Sequence, residues 1–131
     1  MKSIQIFLLA CLIFFSCSSP GALTENGWDF LGEKWVNFGV DHDELTILGK
    51  DEYRQIQLRV TDGPLHFLDM KVHFDRGGIQ DVPLKAVIRQ GQKSRVIDLD
   101  GGLRHLNKIT FWYETLGFRN GRARVAVWGF R

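Results

Sequence analysis

Past residue 17 the chain has no cysteine, and its two cysteines, Cys11 and Cys17, both lie in the opening segment. A disulfide framework in the rest of the chain is excluded, and a lone thiol is a liability in an oxidising compartment. Glutamate is scarce as well: after Glu52 only Glu114 follows. A paired-carboxylate glycosidase would have to draw on distant aspartates. No apolar run approaches the ~20 residues that a spanning helix needs. The formal net charge is only +2, which gives no basis for bulk nucleic-acid binding. The four histidines, at 42, 66, 73 and 105, show neither HxH nor HxxxH spacing, so zinc has no local support. No internal repeat or low-complexity segment is present, and nothing in the sequence calls for a cofactor.

What is present begins with residues 1–16. Lys2 supplies a positive start, Ile4 to Phe15 is apolar except for Gln5, and Ser16, Cys17, Ser18, Ser19, Pro20 and Gly21 follow. This is the three-part form of a secretory signal. Phe14-Phe15-Ser16-Cys17 resembles a lipobox, in which a small residue precedes a cysteine that receives diacylglycerol. Leu8-Leu9-Ala10-Cys11 matches the usual letters better. Cleavage there would leave an apolar stretch of only about seven residues, at the lower edge of the workable range. The expectation is therefore a signal peptide at 1–16, lipid on Cys17, a tether at 17–27 and a domain at 28–131. Such a protein is exported and held on a membrane, in the periplasm or at the cell surface. Ser18 in second place resembles a signal for outer-membrane sorting in diderm bacteria. Without Lys2 the balance is 16 basic against 15 acidic residues, or +1.

From Trp28 onward apolar residues recur with period two. Ile56, Leu58 and Val60 alternate with polar residues, as do Leu68, Met70, Val72 and Phe74; Ile109, Phe111 and Tyr113; and Val125 and Val127. Turn signals such as Asp62-Gly63-Pro64, Asp75-Arg76-Gly77-Gly78 and Arg119-Asn120-Gly121 divide the runs. About eight strands are expected, near 28–38, 43–48, 53–61, 65–74, 79–88, 94–99, 104–114 and 122–130. Half-buried strands at this spacing predict an all-β, antiparallel two-layer sandwich of jelly-roll type. Pro83 belongs at a bulge or an edge, because it cannot donate to a ladder. Residues 25–52 hold eight acids and two lysines, whereas 53–131 hold seven acids and 14 bases. Either this division is accidental or the acidic front lies beside the basic back within one fold.

The series Gly39-Val40-Asp41-His42-Asp43, Gly91 to Leu99, Gly101-Gly102-Leu103-Arg104 and Lys108 to Tyr113 resembles a family of small secreted bacterial β-domain proteins of unknown function. The likeness covers most of residues 30–130. It implies a similar fold and an exported location, and it carries over no catalytic residues.

Several residues are candidates for chemistry. Asp41 and Asp43 point the same way along an extended strand, so both carboxylates can face a hard cation; the simpler reading is a solvated turn. Asp98-Leu99-Asp100-Gly101-Gly102 is half a calcium loop or a tight turn. Ser94 lacks a nucleophile elbow and a neighbouring base. The aromatics are more distinctive. The last two strands are joined by a short loop and are expected to pair, and the alternation then puts Trp112, Arg124 and Trp128 on one outward face, a surface on which sugar rings or a partner's apolar groups stack. The competing arrangement folds the segment of Trp28 and Trp35 across that face. The functional expectation is a non-enzymatic binding or structural module of the cell envelope. Its partners would be the membrane, through Cys17, and an envelope glycan or protein. The alternative is a small envelope hydrolase or metal-dependent enzyme.

Overall fold

Alternating apolar residues give each strand one face that must leave water, and two such sheets satisfy each other by stacking. The computed structural model describes residues 24–36, 40–115 and 122–131, leaving aside the side chains of Val40 and Asp41. Residues 1–23, with the expected signal segment and Cys17, lie outside that description, as does the turn expected at Arg119-Asn120-Gly121. The described residues form an all-β sandwich of two antiparallel sheets. One sheet contains β1 (Thr24–Glu25), β2 (Trp28–Val36), β5 (Gln55–Thr61), β9 (Ile97–Asp98) and β11 (Ala123–Phe130), in the order β1-β2-β11-β5-β9. The other contains β3 (Val40–Thr46), β4 (Glu52–Tyr53), β6 (Leu65–Phe74), β7 (Ile79–Val82), β8 (Ala86–Ile88) and β10 (Arg104–Thr115), with β3-β10-β6-β7 as its spine.

The eleven strands reduce to the eight expected when the two-residue β1 and β4 are set aside and β7 and β8 are counted as one interrupted strand. Pro83 is the interruption. The amide of Leu84 turns back to the carbonyl of Val82 (2.7 Å), while β7 and β8 both pair with β6. Renumbered one to eight, the first sheet reads 1-8-3-6 and the second 2-7-4-5. That is the order of a jelly roll.

Inward positions follow the alternation closely. Ile56, Leu58, Val60, Val125 and Val127 from the first sheet meet Phe67, Met70, Ile109, Phe111 and Tyr113 from the second, all at 0–1 % exposure. Phe111 lies between Phe67 and Tyr113, with ring centroids 5.9 and 5.8 Å away. One inward assignment shifts. The β6–β10 register slips between Trp112 and Tyr113, so Phe67 rather than Leu68 enters the core. A bulge changes which residues share a face, and strict period-two counting cannot register it.

The described strands begin earlier than residue 28. Thr24 and Glu25 pair with Asp29 and Trp28, and the turn between them is Asn26-Gly27, both at positive φ (52° and 85°). That pair suits a two-residue hairpin whose central residues must be left-handed. Both sheets and the described core thus lie within 24–130, so a chain starting at residue 17 keeps the folding unit.

The charge division has a structural basis. Glu25 pairs with Arg59 (2.8 Å), Asp51 with Arg131 (2.7 Å), Glu44 with Lys108 (3.2 Å) and Glu52 with His105 (3.0 Å). The acidic front runs beside the basic back.

Candidate functional site

The last two strands do not pair. β10 bonds to β3, β4 and β6, whereas β11 bonds to β2 and β5. The connection between them crosses from one sheet to the other, so Trp112 stands on the opposite side of the sandwich from Arg124 and Trp128. The three residues do not form one surface. Trp112 is half-buried beside His42 (ring centroids 6.1 Å) and Lys71 (5.9 Å from the ring).

Arg124 and Trp128 do share a face, and β2 extends it. Register places Trp28 opposite Phe130, Phe30 opposite Trp128, and Trp35 opposite Arg124. The segment of Trp28 and Trp35 therefore lies alongside the last strand and adds to its surface instead of covering it. Trp28 and Phe130 are 5.3 Å apart and tilted; Phe30 meets Trp128 edge to face at 5.5 Å. Such ring pairs add about 0.5–1.5 kcal/mol beyond their buried area. From β5, Arg59 crosses the Trp128 ring at 4.0 Å and ends on Glu25. Its Nε is buried without a hydrogen-bond partner, so the ring and Glu25 hold this guanidinium.

The far end of this face is different in character. Trp35 is 41 % exposed, with Arg122 4.3 Å and Arg124 5.2 Å from its ring. Arg124 is fixed by the Thr61 hydroxyl (3.1 Å), Asp62 (3.3 Å) and Glu33 (3.8 Å). For Arg122 the ring is the one partner among the described residues. An exposed indole beside a fixed and a less committed guanidinium offers an apolar surface with donors at its border. Sequence reasoning missed Arg59, Trp35 and Phe30 as members of this face. The signal for Arg59 was available, since it alternates with Leu58 and Val60.

The other candidates serve structure where they are described. Asp43 points inward and accepts a 2.7 Å hydrogen bond from the Tyr113 hydroxyl, with Lys34 at 3.9 Å. The Asp41 side chain lies outside the described residues. Among the described residues no group of three or more His, Cys, Asp or Glu is placed to hold a metal ion. Ser94 is buried; its hydroxyl accepts from the Leu58 amide (2.9 Å) and donates to the Arg95 carbonyl (2.8 Å). Asp98 and Gln55 bond across β9 and β5 (2.8 Å), and Asp100-Gly101-Gly102 turns with both glycines at positive φ.

Near the start of β2, Asp29 collects Thr24 (3.0 Å), the Tyr53 hydroxyl (3.0 Å) and Arg131 (3.6 Å). Tyr53 is almost fully buried, and its pKa is pushed up to about 12. Burial is the main cause, followed by its hydrogen bond to Asp29 and the charges of Asp29 and Asp51.

Residues 7–129 match the family described as "Domain of unknown function (DUF2541)". No curated protein matches the chain. Among solved structures, that of AlgX from Pseudomonas aeruginosa superposes with a TM-score of 0.48 at 13% identity. The superposition covers 78% of this chain and 26% of that one.

Proposed function

The chain belongs to the DUF2541 family, and from that premise we propose that it is a lipid-anchored envelope module binding a glycan through the Trp35 end of its first sheet. The observation that carries this reading is the exposed Trp35 ring with Arg122 and Arg124 at its border. A sugar presents an axial C–H face that stacks on an indole and a rim of oxygens that accept from guanidinium groups. A site of this type needs no nucleophile and no general base. Attachment through lipid on Cys17 is part of the same reading, supported by the apolar run that ends at Ser16.

The test uses the mature chain, residues 17–131, with Cys17→Ser to prevent acylation, against purified envelope glycans. Trp35→Ala is expected to weaken binding about fivefold, since such stacking is worth on the order of 1 kcal/mol. It should cost little stability, because Trp35 stands outside the buried core. Trp112→Ala, on the opposite sheet, should leave binding unchanged. Equal losses from both variants, or a stability loss of about 3 kcal/mol for Trp35→Ala, refute the reading.

A further inference from the structure

At the tether end of the sandwich the surface dips into a cleft that no part of the glycan reading uses. One basin of about 560 Å³ lies between Lys50, Arg76, Arg104 and His105. A second, of about 580 Å³, continues past Lys50 and His105 to Arg54 and Arg131. Two of these cations are committed. Arg104 stacks on Phe74 at 3.8 Å and donates to the carbonyls of Asp100 and Arg76. Arg131 is held by Asp51 and Asp29. The side chains of Lys50, Arg54 and Arg76 have no ion pair or hydrogen bond among the described residues. On the acidic side Asp51 is held by Arg131 and Glu52 by His105, which leaves Asp75 as the one rim carboxylate without such a partner. The cleft therefore carries a surplus of uncommitted positive charge and has room for a small anionic group.

Its position says which anion. Thr24 bonds to Asp29, which meets Arg131 on the cleft wall, so the chain enters the domain directly beside this surface. Thr24 is seven residue steps from Cys17, a reach of at most ~25 Å when fully extended. Trp35 lies seven strand steps beyond Trp28, ~23 Å farther along the sheet. On a chain anchored at Cys17 the cleft is within reach of the bilayer surface, and the aromatic end points away from it. We propose that the cleft receives the phosphate groups of anionic lipid headgroups, through Lys50, Arg54 and Arg76, and so sets the orientation of the domain on its membrane. This rests on the anchoring part of the reading above for its biological setting, but not for its chemistry.

The test is co-sedimentation of residues 17–131, carrying Cys17→Ser, with vesicles of phosphatidylcholine alone or mixed with phosphatidylglycerol. Binding should require phosphatidylglycerol and weaken with added salt. Each cation near an anionic surface is worth about a fivefold change in affinity. The combined Lys50→Gln, Arg54→Gln and Arg76→Gln variant should then lose about a hundredfold, while Arg89→Gln, just past β8 at the far end of the second sheet, loses nothing. The proposal is overturned by equal binding to both vesicle types, or by equal losses from the two variants. Saturable binding of free glycerol phosphate without a preference for phosphatidylglycerol overturns it too, assigning the cleft to a soluble ligand. Because the tested chain carries no lipid, none of these outcomes depends on whether Cys17 is acylated.

Discussion

Replacing Tyr53 by phenylalanine should change how stability depends on pH in a way that can be worked out beforehand. In the fold Tyr53 ionises near pH 12 instead of near 10.0, chiefly because burial penalises the phenolate. A raised folded-state pKa means that the linked stability is fully present below pH 10 and is lost as pH rises through 12. At ~1.4 kcal/mol per pH unit the span is worth about 2–3 kcal/mol, most of it gone by pH 12. At neutral pH, Tyr53→Phe should cost about 1–2 kcal/mol, the loss of a hydrogen bond to a carboxylate. Asp29 keeps Thr24 and Arg131, which limits the damage. Above pH 10 the parent chain loses its tyrosine-linked stability and the variant has none to lose, so the gap should close before pH 12 and then change sign. Urea unfolding of both chains from neutral to alkaline pH measures that gap. The chain holds only two tyrosines, so near-ultraviolet absorbance of the variant reports Tyr113 alone and the difference spectrum reports Tyr53. A constant stability gap across the range, or a Tyr53 titration near 10, would refute the reasoning.

Two further outcomes are expected. Gly129→Ala puts a Cβ within 2.7 Å of the Tyr53 ring and 2.8 Å of Leu31; overpacking of that kind should cost about 1–3 kcal/mol in urea unfolding, and a neutral result would show that Tyr53 can shift. Mass spectrometry of the protein from its native host should find an acylated Cys17 at the N-terminus, and an unmodified start at Ala22 or Leu23 would rule out the anchor.

The sandwich and most inward residues were legible because alternation is a local property of each strand. Ile56-Leu58-Val60 and Val125-Val127 announce a buried face whatever lies opposite. Which sheet a strand joins is not local. The link from Thr115 to Ala123 is short enough for a hairpin and equally able to cross between layers, and here it crosses. That single long-range choice removes Trp112 from the site and brings in Trp35, Phe30 and Arg59, whose outward positions were readable but whose neighbours were not. The Asn26-Gly27 turn is the opposite case. Its signal is strong and local, and it went unread because the residues before it look like a tether.

The lengths of the strands at the margins have a consequence for how copies of the chain meet. The first sheet ends on β1 and β9, two residues each and too short to template another chain, although β1 covers only Trp28 and Asp29 of β2. In the second sheet the β7–β8 margin is cut by Pro83, and β3 carries Asp41, His42, Asp43 and Glu44 along its length. Open sheet margins would zip colliding copies together through backbone hydrogen bonds. Stubbed, broken and charged margins each oppose that pairing.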